Sequence, residues 1–401
     1  MYCTDMEKIY DFAILGGGAS GLFALRGLKE KNVIIIEGNK SLGVKLLATG
    51  GGKCNFTNLH LSADNFICSN PHFIKSFLAK FGTDDILKII ETHGIPYEER
   101  DNGKLFTLST AGDILNALQS DGQSENHTFL LDCRVEDVKK ATDDEPIFFI
   151  ETTKGNIHAK KVIVASGGIS YPKLGATNIA SKIAKNFGMK VTPLLPALAA
   201  LRYPKDLADD FATLSGIAIT AQIQVGKKTF TDQLLFTHRG FSGPLGLNTS
   251  LYINADTDIQ INFVPDINIG KLLQEARGSK KTLVNILSEY LPKALVKVLL
   301  KKANVLQTDV DIAQIKNTQI ETIAKFFNQY KITITQLDGF DKAEVTRGGV
   351  CVDDIFPKTM ESRKCAGLYF IGEALDVTGM LGGYNLHWAW ASASMLIDAL
   401  E

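Results

Sequence analysis

The chain has 401 residues, 45% hydrophobic and 22% charged, a globular composition too long for one ordinary core, so two or three domains are expected. Its 43 Lys and Arg balance 44 Asp and Glu at a formal net charge of −1, which argues against nucleic acid and anionic membrane as partners because no global field recruits them. No apolar run is long enough to span a bilayer, the opening MYCTDMEKIYD lacks the apolar stretch of a secretory signal, and the six cysteines (Cys3, Cys54, Cys68, Cys133, Cys351, Cys365) show neither CxxC nor zinc spacing. They read as reduced thiols of a cytoplasmic protein that is not of the disulfide-reductase type, with no metal site.

In chain order, the first predicted strand, Phe12-Ala13-Ile14-Leu15, runs into Gly16-Gly17-Gly18-Ala19-Ser20-Gly21, with a helix over Leu22–Lys29. A second strand, Val33-Ile34-Ile35-Ile36, ends in Glu37 and Gly38. This is a dinucleotide fingerprint in its βαβ context. Gly16 permits the tight turn, Gly18 lets backbone approach a pyrophosphate, and Gly21 lets the helix pack on the strand. The N-terminal N–H groups of that helix face the phosphates, and Ala19 and Ser20 of the turn are candidate ligand residues with them. Glu37 stands where a carboxylate accepts from a ribose hydroxyl.

A second loop, from Leu42 to Asn58, is too rich in glycine and polar groups for core. Its candidate ligand residues are Lys45, Thr49, Gly50, Gly51, Gly52, Cys54, Asn55 and Asn58, with bare backbone suited to a flat, anionic ligand. Residues from Pro71 to Ile90 predict a pair of short helices. Strand patterns at Phe129-Leu130-Leu131, Ile147–Ile150 and Val162–Val164 predict a β-meander, and Val135 is the residue in that region that flavoproteins of this general kind would set against an adenine. Val162–Val164 returns as a Rossmann strand ending in Ala165, Ser166 and Gly167, and a helix from Asn178 to Phe187 is capped by Gly188.

From Pro193 the texture turns to short strands, then to helical spacing over 270–330, then to strand at Ile332–Thr335. The expected organisation is 1–192 and 344–401 as two parts of one cofactor domain, 193–269 with 331–343 as a β-rich insert, and 270–330 as a helical subdomain. Lys293, Lys297, Lys301 and Lys302 share a helical face, read as a solvated surface. Far along the chain, Gly367–Glu373 is a strand ending in Gly372 and Glu373, followed by Gly382, Gly383, Tyr384, Asn385 and a helix from about Leu386. A second strand-loop-helix unit suits FAD, whose ribityl chain and isoalloxazine extend beyond the pyrophosphate. Gly372 and Glu373 would hold the ribityl region, Tyr384 and Asn385 would line the ring, and Gly383 would be bare to admit it. The helix N-terminus would face the pyrimidine side.

The blocks LLATGGGKCNFTN, IVASGGISYPKLGAT, LLFTHRGFSGP, EVTRGGVCVDDI and GLYFIGEALDVTGMLGGYNLHWAWASAS span nearly the whole chain. On them it resembles the HI0933-like, or BaiN-type, NAD(P)/FAD-dependent oxidoreductases. Departures are Ala165-Ser166-Gly167-Gly168 for the usual ATGG, and Ala391-Ser392-Ala393 where a glycine is common. The resemblance implies an α/β fold: a FAD-binding Rossmann-type domain interrupted by a β-barrel-like insert and a small helical subdomain.

Flavin carries the hydride chemistry, so no protein nucleophile is required. FAD is expected to be non-covalent. No second GxGxxG lies between Phe187 and Ile371, so NAD(P)H, if it is the electron donor, binds transiently. The preferred activity is NAD(P)H-linked reduction of an enone- or quinone-like small molecule. The resemblance also leaves open an aminoacetone-type amine oxidase using O2, and a flavin-binding, tRNA-associated protein remains a third reading. Substrate is expected between the cofactor domain and the insert, with Tyr171 and His238 as polar lining. The oligomeric state is left open.

Overall fold

The computed structural model describes residues 8–140, 147–254, 256–305, 307 and 309–400; Cys3 lies outside the described residues. The chain divides into two units, Met1–Pro196 with Glu344–Glu401, and Ala197–Ala343.

In the first unit, β1 (Ile9–Leu15) passes through the glycine turn into α1 (Ala19–Ala24), and β2 (Val33–Ile36) pairs parallel to β1. The helix expected over Leu22–Lys29 begins earlier and ends sooner. Gly18 is already its extended N-cap, and the chain tightens into a 3-10 turn at Leu25–Gly27, where Gly27 closes on Ile397. Next come α2 (Val44–Ala48), β3 (Asn55–Asn58), β4 (Phe66–Cys68), α3 (Pro71–Leu78) and α4 (Thr83–Thr92). The two short helices bury Phe73, Ile74, Phe77, Ile86 and Ile90. β5 (Tyr97–Arg100) and β6 (Lys104–Thr107) join β3 in a three-stranded antiparallel sheet.

After α5 (Ala111–Asp121), β7 (His127–Leu130) pairs parallel with β2. Phe129 is therefore no part of a meander: it fills the outer hydrogen-bonding edge of β2. The meander is β8 (Val135–Lys140), β9 (Phe148–Thr152) and β10 (Gly155–Val164), and β10 runs parallel to β1. Ala13–Leu15, Val33–Ile36 and Val162–Val164 are at most 3% exposed, which is why they are continuous apolar runs instead of alternating ones. α6 (Ile179–Asn186) ends at Gly188, whose φ of +71° favours glycine, and β11 (Val191–Ala197) leads out of the unit.

The second unit contains β12 (Leu201–Arg202), α7 (Lys205–Ala212), β13 (Ala218–Val225), β14 (Lys228–Phe236), β15 (Gly240–Ser242), α8 (Gly243–Ser250) and β16 (Thr257–Asn262). α9 (Ile269–Glu275), α10 (Leu283–Leu287), α11 (Lys293–Lys302), α12 (Asn317–Asn328) and β17 (Tyr330–Ile334) complete it. The sheet order is β12-β15-β14-β13-β16-β17. Its two ends approach one another, because Leu201 bridges Leu337 and Arg202 N donates to Gln336 O at 2.9 Å. The result is barrel-like. The helices of the 270–330 stretch share one apolar core with this sheet, through Leu273, Leu287, Leu295, Leu299 and Phe327 beside Ile223, Phe236 and Ile261.

The chain re-enters the first unit with β18 (Val345–Val350) on β11, β19 (Leu368–Phe370) parallel to β10, and β20 (Val377–Gly379) against β4. It ends in α13 (Tyr384–Leu400), which buries Trp388, Trp390, Ala391 and Ala393 at 0–1% exposure. Among the described residues no helix is long and apolar enough to cross a membrane.

Candidate active site

At the end of β1 the three fingerprint glycines have different causes. A Cβ on Gly16 would lie 2.6 Å from Ala165 O, and one on Gly21 would lie 2.1 Å from Gly16 O, so both are demanded by close backbone packing. A Cβ on Gly18 would meet nothing within 4 Å. That bare wall faces open space just before α1, whose first residues are Ala19 and Ser20. Glu37 follows β2 and is pinned along the loop: Oε2 accepts from Gly17 N (2.8 Å), and Oε1 accepts from Asn39 N (2.8 Å) and Asn39 Nδ2 (2.9 Å). Cys133 N donates to Glu37 O at 2.9 Å, and Gly38 borders Arg134, so the chain reaches Val135 alongside this carboxylate.

In the second loop, Thr49 Oγ1 donates to Leu46 O at 2.6 Å and closes the end of α2. Gly50, Gly51 and Gly52 all have positive φ, and added Cβ atoms on Gly51 and Gly52 would meet nothing within 4 Å. Cys54 is fully buried with φ of +40°. Burial pushes its thiol pKa up to about 12, partly offset by a hydrogen bond with Thr49, so it stays protonated and unreactive. All five described cysteines are free thiols.

The same loop is tied to the far end of the chain. Asn58 Nδ2 donates to Gly382 O at 2.9 Å. In the amide orientation that satisfies both of its ends, Asn55 Oδ1 accepts from Gly383 N at 2.9 Å while Nδ2 reaches Thr57 O and Leu105 O. Gly383 is bare for this contact: its Cβ would sit 2.3 Å from Thr57 O. The protein, not a flavin ring, takes the space at that position. Tyr384 is buried against Phe66 with its hydroxyl on His60 O (3.3 Å), and Asn385 clamps Gly379 through both amide ends at 2.8 Å. Their side chains are thus committed to protein, while Leu386 packs half-buried on the core. Beneath them, buried His387 joins Thr57 Oγ1 (2.9 Å) to Phe81 O (3.2 Å). Since the carbonyl can only accept, Nε2 carries the proton and Nδ1 accepts from Thr57. Burial lowers its pKa to about 4.

The third wall follows β10. Ala165 N donates to Leu15 O (3.0 Å), Ser166 Oγ is buried without a hydrogen-bond partner, and Gly167 has φ of +72°. Beside them Glu373 Oε2 pairs with Lys45 Nζ at 2.7 Å, and Glu373 Oε1 accepts from Thr346 N at 2.8 Å. Thr346 Oγ1 in turn accepts from Ile169 N (2.9 Å) and Ser170 N (3.1 Å). This bend presents Tyr171 in the left-handed region at φ of +60° and half-buried. Burial raises its phenol pKa, and the Glu344 charge adds to the shift. Gly372 packs on Ser20 and is held at both backbone atoms: Trp388 Nε1 donates to its carbonyl and Ser392 Oγ accepts from its N–H, each at 2.9 Å.

Three walls of one unit therefore converge: the fingerprint turn with Glu37, the Gly50–Gly52 loop with Lys45, and the Ser166–Gly167 and Gly372–Glu373 pair. An orphaned buried hydroxyl at Ser166 and open faces at Gly18, Gly51 and Gly52 fit a long anionic dinucleotide. His238 belongs to the other unit and is exposed between β14 and β15. Sequence reasoning missed Asn39, Thr346, Trp388 and Ser392, whose parts depend on partners remote in the chain. A small-residue patch in an otherwise apolar last helix was the one available signal, at Ser392.

The chain matches the family described as HI0933-like protein Rossmann domain over residues 10–397. It is 38% identical over 393 residues to a protein of Escherichia coli (strain K12) named ribosomal RNA dihydrouridine synthase, covering 97% of each chain. A Haemophilus influenzae protein of the same name is 38% identical over 395 residues, covering 97% of this chain and 98% of the relative. The 3-dehydro-bile acid delta(4,6)-reductase of Clostridium scindens is 30% identical over 400 residues, covering 94% and 96%.

Proposed function

Since the chain belongs to the HI0933-like family of flavoprotein oxidoreductases, we propose that it reduces the C5=C6 bond of a uridine in ribosomal RNA, with FAD as its non-covalent cofactor. The supporting observation is 38% identity across 97% of the chain to relatives named for that reaction. Chemistry also connects them with the bile-acid reductase. A 3-oxo group with Δ4,6 unsaturation and the C4=O, C5=C6 unit of uracil are both carbon–carbon double bonds conjugated to a carbonyl. In this reading an RNA base that carries a conjugated carbonyl takes the place of the enone- or quinone-like small molecule expected from the sequence. The argument from net charge against nucleic acid finds no support here, because a neutral protein can read RNA through base contacts.

Bound flavin would supply hydride to the β-carbon of the conjugated system. The residues of this chain have other tasks. Glu37 accepts from ribose hydroxyls, Gly18, Gly51 and Gly52 admit phosphate and ring edges, Ser166 donates its free hydroxyl, and Lys45 with Glu373 fixes the central span. Reduction also places a proton on the α-carbon. Tyr171 is the candidate donor, because it is half-buried on the bend that Thr346 holds beside Glu373 and a phenol carries its proton at neutral pH. Cys54 is excluded from that role by its burial. A nicotinamide dinucleotide, binding transiently, is the proposed electron source, and an rRNA substrate implies the cytoplasm.

The test is mass spectrometry of rRNA from cells lacking this protein, before and after complementation. One uridine should lose its 2 Da dihydro increment and regain it. Purified FAD-loaded protein with NADH or NADPH should install that increment on rRNA. Unchanged rRNA in both assays would overturn the reading.

A further inference from the structure

Tyr171 holds a large side chain in the left-handed region, at φ of +60° and ψ of +63°. Backbone of that kind is strained for any residue but glycine, and it persists only where the surroundings over-determine it. The stretch from Ile169 to Gly175 is fastened at both ends. At the first end one hydroxyl, Thr346 Oγ1, accepts from Ile169 N at 2.9 Å and Ser170 N at 3.1 Å and meets Ser170 Oγ at 3.1 Å. Ser170 and Thr346 are at most 1% exposed, so this junction belongs to the interior. Gly168 is bare on its account: an added Cβ would lie 2.5 Å from Thr346 Oγ1 and 3.0 Å from Glu373 Oε1.

At the other end a 3-10 turn over Pro172–Leu174 closes with Leu174 N donating to Tyr171 O at 2.8 Å. Asn39 Nδ2 donates to Leu174 O at 3.0 Å, and a Cβ on Gly175 would lie 2.7 Å from that same amide nitrogen.

Each anchor also holds one of the two carboxylates proposed to face the cofactor. Thr346 N donates to Glu373 Oε1 at 2.8 Å, while Asn39 donates to Glu37 Oε1 from N at 2.8 Å and from Nδ2 at 2.9 Å. The bend is therefore slung between Glu373 and Glu37, with Tyr171 between the anchors. A functional side chain keeps its place only when the groups behind it are themselves locked. Thr346 divides its work between two atoms: the main-chain N–H serves Glu373 and the hydroxyl serves the bend.

We infer that Thr346 is a positioning residue whose hydroxyl sets Tyr171 for proton donation, and that the 169–175 bend couples Tyr171 to the cofactor through Glu373 and Glu37. The proton-donating task rests on the ribosomal RNA reading; the coupling to the cofactor does not.

Thr346→Val keeps the residue's shape and main-chain N–H but removes the acceptor, and Thr346→Ser restores it. Amide hydrogen exchange, read by mass spectrometry, compares the full chain without and with saturating FAD. In the wild type and in Thr346→Ser, FAD should slow exchange across 169–175 at least tenfold. In Thr346→Val the slowing should shrink below twofold. No slowing in the wild type, or full slowing in Thr346→Val, overturns the inference. Should Thr346→Val unfold, Asn39→Ala cuts the other anchor: loss of the slowing is expected, and its retention counts against the coupling. The second arm follows single turnovers of photoreduced, FAD-loaded protein on rRNA from cells lacking this protein. Thr346→Val and Tyr171→Phe should each slow dihydrouridine formation at least tenfold, with Thr346→Ser within threefold of the wild type. The double variant should be no slower than Tyr171→Phe alone, because both changes remove one function. Losses that multiply would show Thr346 acting elsewhere and overturn its positioning role. Wild-type protein that shows the exchange effect but leaves rRNA unreduced would sink the rRNA reading, with the coupling already decided in its favour.

Discussion

At Gly18 an added Cβ would meet nothing within 4 Å, whereas at Gly383 it would lie 2.3 Å from the Thr57 carbonyl oxygen. Both glycines stand in glycine-dense loops that a sequence reading assigns to the same ligand. One keeps space open; the other lets two distant stretches of chain touch. Around Gly383, Asn55, Asn58 and His387 bind β3 to the start of α13, so that seam is part of the folded core. Around Gly18, extended backbone with φ of −88° would accept any side chain. Glycine density therefore marks backbone approach without saying what approaches.

The largest expected effect tests the seam. Gly383→Ala must place a side chain at φ of +93° against Thr57 O, so it should cost more than about 3 kcal/mol. Chemical denaturation of the apoprotein should show it, and a wild-type midpoint would show that the seam can open cheaply. The seam should also be pH-sensitive. His387 is neutral when folded, its pKa lowered to about 4 from 6.5. Below pH 6.5 the unfolded chain takes up a proton that the folded chain refuses. Stability should therefore fall as pH drops from about 6.5 to about 4, and level off below, by on the order of 3 kcal/mol. His387→Gln should flatten that part of the profile, and a profile unchanged by the substitution would remove His387 as its cause.

What was legible followed distance along the chain. Gly16, Gly18, Gly21 and Glu37 fall within one βαβ unit, and local spacing sufficed to place them. The Asn58–Gly382 contact spans 324 positions, and no local pattern encodes it. Phe129 was misplaced because an apolar triplet reads the same in a parallel edge strand and in a meander. Which outward residues of β13 and β16 become neighbours was invisible for a related reason. Alternation tells inside from outside, but only strand register sets Gln224 beside Gln260.

The open loop should break differently. Gly18→Val projects its side chain into the space assigned to pyrophosphate, so the apoprotein should keep its stability within about 1 kcal/mol. FAD affinity should nevertheless fall at least a hundredfold, measured by quenching of flavin fluorescence on titration. Loss of fold in step with loss of flavin would erase the distinction between the two loops.

The smallest effect sharpens it further. Glu37 serves both purposes, since its carboxylate accepts from Gly17 N, Asn39 N and Asn39 Nδ2 and also stands where ribose hydroxyls would donate. Asn39 Nδ2 continues to Leu174 O at 3.0 Å, just beyond Tyr171, so the carboxylate also steadies that bend. Glu37→Ala should weaken FAD binding by about 1.5–3 kcal/mol, the range for a hydrogen bond to a charged group, while the protein stays folded. Glu37→Gln retains one acceptor oxygen but turns the other position into a donor facing the Gly17 or Asn39 N–H. If ribose binding is the main role, Gln should recover part of the affinity without changing the denaturation midpoint. If bracing the loop is the main role, Gln and Ala should lower the midpoint alike, and their FAD losses should scale with that destabilisation. Calorimetric titration of FAD into both variants, with denaturation of the same samples, separates the two outcomes.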